Sequence, residues 1–227
     1  MRSRVILFGK APLAGFAKTR LIPAVGKVGA AVLARRLLIH AIDEARAAFH
    51  GAVELCVTPS PDDPVWDVQG IRHPDLSWSE QGDGDLGARM ARAAKRALAN
   101  GEPVLLIGSD CPALDRRTLS VAARRLENAD AVMIPALDGG YVLLGLRRYD
   151  PSLFSEIAWS TETVAHVTAE RCARLGWRVD RMAPLPDIDE PSDLAHVPEQ
   201  FLPVVRKEPA SAATIYRAQP NGYPYDA

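Results

Sequence analysis

The chain has 227 residues, enough for one substantial core, and with 48% hydrophobic and 24% charged residues it reads as globular rather than disordered or fibrous. A net charge of −1 gives no basic footprint for nucleic acid or for an anionic membrane surface. Its three cysteines lie far apart without a Cys-x-x-Cys pair, and its five histidines lack His-x-His or His-Glu-x-x-His spacing, so neither a disulfide scaffold nor a zinc site is indicated.

Val5-Ile6-Leu7-Phe8 is too short for a signal sequence or a membrane span, so the chain is expected in the cytoplasm, with a short buried strand over residues 4–8. A Gly/Pro/Lys loop follows over residues 9–24. Val28, Val32, Ile39, Ile42 and Phe49 recur near helical spacing and predict a helix over residues 27–49. Residues 53–57 read as a second strand, residues 58–64 as a Pro/Asp-rich loop, and the stretch around Ile71 as a weak strand. Residues 77–81 do not read as a buried strand. Gly82-Asp-Gly-Asp-Leu-Gly87 then opens an Ala/Arg-rich helix to about Asn100, with Asp85 as its N-cap.

Val104-Leu105-Leu106-Ile107 is an apolar strand ending in Gly108-Ser109-Asp110, and residues 116–127 follow as a helix. Residues 131–136 and 141–146 flank Asp138-Gly139-Gly140, a turn signal for a hairpin. A helix over residues 163–175 and a strand over 177–182 precede Asp187-Ile-Asp-Glu-Pro-Ser-Asp-Leu194. This alternation predicts a three-layer α/β/α fold with a mostly parallel mixed sheet, in one domain over residues 1–195. From His196 onward five of the 18 prolines fall in a stretch without a period, which reads as a Pro-rich tail over residues 196–227.

Four features carry chemistry. Asp110 is a carboxylate delivered to a strand's C-terminal tip, where open α/β sheets place ligand-binding acids; its other reading is a cap for the helix near Asp115. Lys10, Lys18 and Arg20 put three cations on a Gly/Pro loop directly after the first strand, either as solvated charge or as a polyphosphate site. This loop is not a Walker A motif, because two residues separate Gly15 from Lys18. Asp189 follows the last strand and would share an edge with Asp110, so the two could hold one Mg²⁺; the competing reading is a helix start with an acidic first turn.

Gly82-x-Gly84-x-x-Gly87 has the letters of a dinucleotide fingerprint, yet Asp83 and Asp85 would oppose a pyrophosphate, so the segment reads as a loop closing over a ligand. Cys111 reads as a small packed thiol rather than a nucleophile, with no histidine near it in sequence. Trp159-Ser160-Thr161 reads equally as a substrate wall or a helix start.

With these segments in order over residues 4 to 195, the chain resembles the nucleotide-diphospho-sugar transferase superfamily, which has a Rossmann-like fold. Within it, the chain resembles a bacterial glycosyltransferase-like family related to phospholactate guanylyltransferases and molybdenum-cofactor nucleotidyltransferases. The resemblance implies that Phe8, Gly9, Lys10, Pro12, Gly15 and Lys18 surround the nucleotide, and that Gln81 and Gly84 approach its base. It implies Lys18 and Arg20 on the phosphates, Asp110 and Asp189 on Mg²⁺ (or Mn²⁺), and Asp138, Gly139, Gly140, Tyr141, Trp159, Ser160 and Thr161 around the acceptor. Two departures stand out: Gly-Ser-Asp replaces the Asp-x-Asp of sugar transferases, and the first loop lacks the Gly-x-Gly-x-Arg of nucleotidyltransferases.

The expected activity is Mg²⁺-dependent nucleotidyl transfer from a nucleoside triphosphate to a small phosphorylated acceptor. Glycosyl transfer from a nucleotide sugar is the alternative, and nucleotide binding without catalysis a third reading.

Overall fold

The computed structural model describes residues 3–68 and 70–202. Seven strands form one sheet: β1 (Arg4–Lys10), β2 (Val53–Thr58), β3 (Ser77–Glu80), β4 (Val104–Ile107), β5 (Ala131–Pro135), β6 (Tyr141–Leu146) and β7 (Val179–Arg181). Their order is β3-β2-β1-β4-β6-β5-β7. β6 pairs antiparallel with both β4 and β5, and all other pairings are parallel. Six strands therefore deliver their C-terminal ends to one edge, and β6 begins there.

Alternation along the strands divides the core. Val5, Leu7, Leu55, Leu105 and Ile134 face α1 (Ile22–Ala48) and α4 (Arg116–Leu126), while Ile6, Cys56, Leu106, Met133 and Leu144 face α3 (Leu86–Ala99) and α5 (Val164–Arg174). A one-turn helix, α2 (Val65–Val68), lies between β2 and β3. The result is the expected three-layer arrangement. Asp85 and Asp115 cap α3 and α4, accepting from Ala88 N at 2.8 Å and Thr118 N at 2.7 Å. Asp115 takes the capping role considered for Asp110.

Residues 77–80, which do not read as a buried strand, form a half-exposed one at the sheet edge. Three expectations need correction. Ile71 is fully buried without lying in a strand. Helix α1 starts at Ile22, with Pro23 in its first turn and a break at Gly26 (φ 73°). Val28 is 46% exposed, whereas Leu33, Leu37, Leu38 and Ile42 are buried. The apolar face was misplaced because α1 packs on two surfaces, the sheet and a third cluster of Leu21, Ile188, Val197 and Phe201.

Val197 and Phe201 belong to the segment expected as tail, yet they close this third cluster, and Arg36 NH1 donates to the Phe201 carbonyl at 2.9 Å. Residues 203–227 lie outside the described residues.

Glu44 on α1 fastens α4. Its carboxylate accepts from Arg116 N at 2.6 Å, Nε at 3.1 Å and NH2 at 2.8 Å. The Arg116 side-chain hydrogen bonds hold the Glu44 carboxyl below its ordinary value. A depressed carboxyl pKa stabilises the fold fully above the unfolded-chain value and loses that contribution as pH falls through the native one. Glu44→Gln should cost about 1–2 kcal/mol at pH 7 by urea denaturation, the gap closing below about pH 4. A gap independent of pH would contradict this.

Candidate active site

A cleft of about 480 Å³ opens at the edge where β1, β4, β5 and β6 meet. Phe8 and Lys10 reach it from β1, Lys18 and Arg20 from the first loop, and Asp110 from the end of β4. Asp138, Gly140 and Tyr141 enter from the β5–β6 hairpin, Trp159, Ser160 and Thr161 from the segment before α5, and Asp187 and Asp189 from the stretch after β7. Residues as far apart in sequence as Phe8 and Asp189 are thus gathered at the edge where the parallel strands end, as in the ligand crevices of open α/β sheets.

The centre is a cation between two carboxylates. Lys18 Nζ lies 3.2 Å from Asp110 Oδ2 and 3.3 Å from Asp189 Oδ1, with its side chain 11% exposed. Arg20 NH1 lies 3.0 Å from Asp189 Oδ2. Burial pulls the Lys18 pKa down, and the charges and hydrogen bonds of Asp110 and Asp189 outweigh it, leaving it above its ordinary value. Lys18 adopts the left-handed conformation (φ 49°), as does Ser160 (φ 62°) on the opposite wall. Such backbone costs about 1–3 kcal/mol and is kept where surrounding contacts impose it.

The carboxylates are held by backbone. Ile188 N–H donates to the Asp110 carbonyl at 2.9 Å, and Ile188 is fully buried, so its neighbours Asp187 and Asp189 are fixed beside Asp110. Asp193 reaches back to accept from Asp189 N at 3.0 Å and Glu190 N at 2.7 Å. The acidic first turn of the alternative reading is therefore Asp193, and Asp189 is left for the cleft. Asp187 was not foreseen as a site residue. Burial, then the charges of Asp110 and Asp138, push its carboxyl up to about 6.

Among the described residues no group of three or more His, Cys, Asp or Glu side chains is gathered for a metal ion. The two that converge, Asp110 and Asp189, already share one cation in Lys18. They are hard oxygen donors suited to Mg²⁺, which takes few protein ligands and completes its shell with water and phosphate oxygens. The donor set fits that ion.

Lys10 sits over the Phe16 ring, 4.1 Å from its centroid, and burial, then the nearby Arg89, lowers its pKa. Gln81 lines the cleft, but its amide is engaged: Nε2 donates to Gly9 O at 3.0 Å and Cys56 O at 3.1 Å, and Oε1 accepts from Arg89 at 3.2 Å. Arg89 also donates to Gly84 O at 2.9 Å, and Arg92 to Gln81 O at 2.7 Å. These two arginines clamp the glycine loop, a role no sequence motif announced.

Other expected residues stand back from the cleft. Gly9 faces Leu38, Leu55 and Val57, Pro12 is buried, and Gly15 is exposed with φ 84°. Gly84 lies against Ala88. Gly139 packs on the backbone of Glu162 and its carbonyl accepts from Ala165 N at 2.9 Å. Gly87 lets Phe154 and the Trp159 indole lie directly on α3. Thr161 Oγ1 donates to Ala158 O at 2.7 Å, so the 159–161 segment is both cleft wall and helix start. Cys111 is buried, and burial pushes its thiol up to about 12, which agrees with a packed thiol.

The family model described as "Uncharacterized protein conserved in bacteria (DUF2064)" matches residues 41–161, more than half of the chain. The chain is also similar to a protein from Desulfovibrio desulfuricans G20 that has been provisionally assigned as a nucleotide-diphospho-sugar transferase. Identity is 32% over 86% of this chain and 85% of that one, with a TM-score of 0.78. A 4-diphosphocytidyl-2C-methyl-D-erythritol synthase from Anaerococcus prevotii DSM 20548 shares the fold at 12% identity and TM-score 0.56, over 86% of this chain and 94% of that one. So does a cytidylyltransferase from Leptospira borgpetersenii serovar Hardjo-bovis, at 15% identity and TM-score 0.52, over 98% and 100%. No helix among the described residues is long and apolar enough to cross a membrane. The chain belongs to the DUF2064 family and, with it, to the transferases of the nucleotide-diphospho-sugar transferase superfamily.

Proposed function

We propose that the protein is a Mg²⁺-dependent nucleotidyltransferase, with Mn²⁺ able to substitute, that uses a nucleoside triphosphate and a small phosphorylated acceptor. The observation that carries this reading is Lys18, a cation held between a carboxylate at the end of β4 and one from the stretch after β7, in a 480 Å³ cleft. An acceptor oxygen attacks the α-phosphorus and pyrophosphate leaves, so no protein nucleophile is needed. Lys10, Lys18 and Arg20 meet the phosphate oxygens, where fixed cations stabilise the charge that develops on the leaving group. Asp110 and Asp189 would hold the divalent ion, which when bound neutralises phosphate charge. The wall from Asp138 to Tyr141 and from Trp159 to Thr161 receives and orients the acceptor.

Glycosyl transfer from a nucleotide sugar is the second reading, favoured by the 32% identical Desulfovibrio relative. A thermal-shift panel of triphosphates and nucleotide sugars, with and without Mg²⁺, separates the two. At one hundred times Kd a ligand stabilises by about 2.7 kcal/mol. A triphosphate should raise the melting temperature more than the matching nucleotide sugar, and only with Mg²⁺. Stabilisation by one nucleotide sugar with triphosphates inert would reverse the assignment to glycosyl transfer.

A further inference from the structure

We propose that Lys18 is the resident counter-cation of the Asp110–Asp189 pair, and that a divalent ion enters only as the donor's phosphates draw the ammonium away. Metal and nucleotide then load together. This rests on the metal and nucleotide reading above, and adds how the site is kept closed to metal alone.

The main chain beneath the two carboxylates is fixed, so both side chains start from anchored positions beside one another. Asp110 accepts the amide of Ile188 through its backbone carbonyl at 2.9 Å, Ile188 is anchored in the third cluster, and the Asp189 amide is held by Asp193 at 3.0 Å. Two converging carboxylates held in place need a cation between them. Lys18 supplies it, with Nζ within 3.3 Å of both and little of its side chain open to solvent. A divalent ion arriving alone must therefore evict an ammonium from two partners and leave it without a replacement anion.

A polyphosphate changes that exchange. Its oxygens give the ammonium a new partner, and the four-carbon stem of a lysine lets the charge swing while its backbone stays in place. Asp110 and the Asp189 oxygen that faced Lys18 are then released for the metal that accompanies the phosphates, while Arg20 keeps the other Asp189 oxygen. Arg20, with 55% of its side chain exposed, pairs with Asp189 at 3.0 Å and Glu190 at 3.7 Å but not with Asp110, and so is not the gate.

The test measures metal binding without turnover. Mn²⁺ alone is titrated into the full-length protein, into Lys18→Met and Lys18→Gln, and into Lys18→Met combined with Asp110→Asn, with free Mn²⁺ read by electron paramagnetic resonance. Melting curves with and without Mg²⁺ are recorded for each. The charge-removing variants should bind Mn²⁺ at least tenfold more tightly than the parent and be stabilised by Mg²⁺ alone, and the added Asp110→Asn should abolish both effects. Having two neutral replacements guards against one that fails to fold.

Equal Mn²⁺ affinity in parent and Lys18 variants overturns the gate while leaving the metal site standing. No Mn²⁺ binding by folded Lys18 variants also overturns it. If the parent in addition ignores every nucleotide with Mg²⁺ in the melting panel, the functional reading falls with it.

Discussion

Asp110→Asn is expected to lower the transfer rate at least about a hundredfold while moving the melting temperature by only a few degrees. The loss is large because an amide carries no charge for a divalent ion or for Lys18, and removing one preorganised electrostatic group from a reaction centre costs factors of about 10²–10³. The fold survives because Asp110 ties down the 187–189 stretch through its carbonyl, not its side chain. Pyrophosphate release, measured with whichever triphosphate stabilises the protein best, gives the rate. A variant within about threefold of the parent would remove Asp110 from the reaction.

Gly139→Ala should be the most damaging single methyl in the β5–β6 hairpin, costing about 3 kcal/mol. Gly139 has φ 94°, a conformation that carries a strain penalty for any residue with a Cβ. A Cβ there would also stand inside the van der Waals radius of the Glu162 backbone, which has no flexible end to move aside. For a domain of this size the loss corresponds to a fall of about 6–12 °C in melting temperature. An unchanged melt would mean that the hairpin tip can lift off the α5 entrance at little cost, and that the wall is not rigid.

What could be read from the sequence follows the strength of the local signal. Asp110 was legible because a four-residue apolar run ends on it, and Asp85 and Asp115 because capping is decided within three residues. The hairpin was legible from Asp138-Gly-Gly alone. The edge strand β3 was not, since four half-exposed residues have no apolar pattern to show. Nor was the buried face of α1, because its second partner, the Ile188–Phe201 cluster, is assembled from residues more than 150 positions away.

The site divides the same way. Lys18, Arg20, Asp110 and Asp189 stood at strand ends or in a loop whose charge had no local use, and the structure brings these four together. Gln81 and the glycines were harder to judge. A hydrogen-bonding amide looks alike in sequence whether it faces a ligand or spans Gly9 and Cys56. Gly9, Gly84 and Gly139 serve packing and backbone geometry that letters do not separate from ligand contact. Arg89 and Arg92 escaped notice because their partners are carbonyls, which every residue has.

The reversed strand β6 has an architectural consequence. Elsewhere the cleft takes isolated pieces, Lys10 from β1, Gln81 after β3 and Asp110 after β4, so altering that half means coordinating changes scattered along the chain. The antiparallel β5–β6 turn instead presents Asp138 through Tyr141 as one uninterrupted piece, entering and leaving at the same edge. The pairing of Ala131 with Leu146 and of Ile134 with Leu143 anchors the base of that turn, and Gly139 seats its tip on the backbone of Glu162. One side of the cleft is thus a contiguous segment that has to change together with the stretch it packs on, while the other is assembled from separate strand tips.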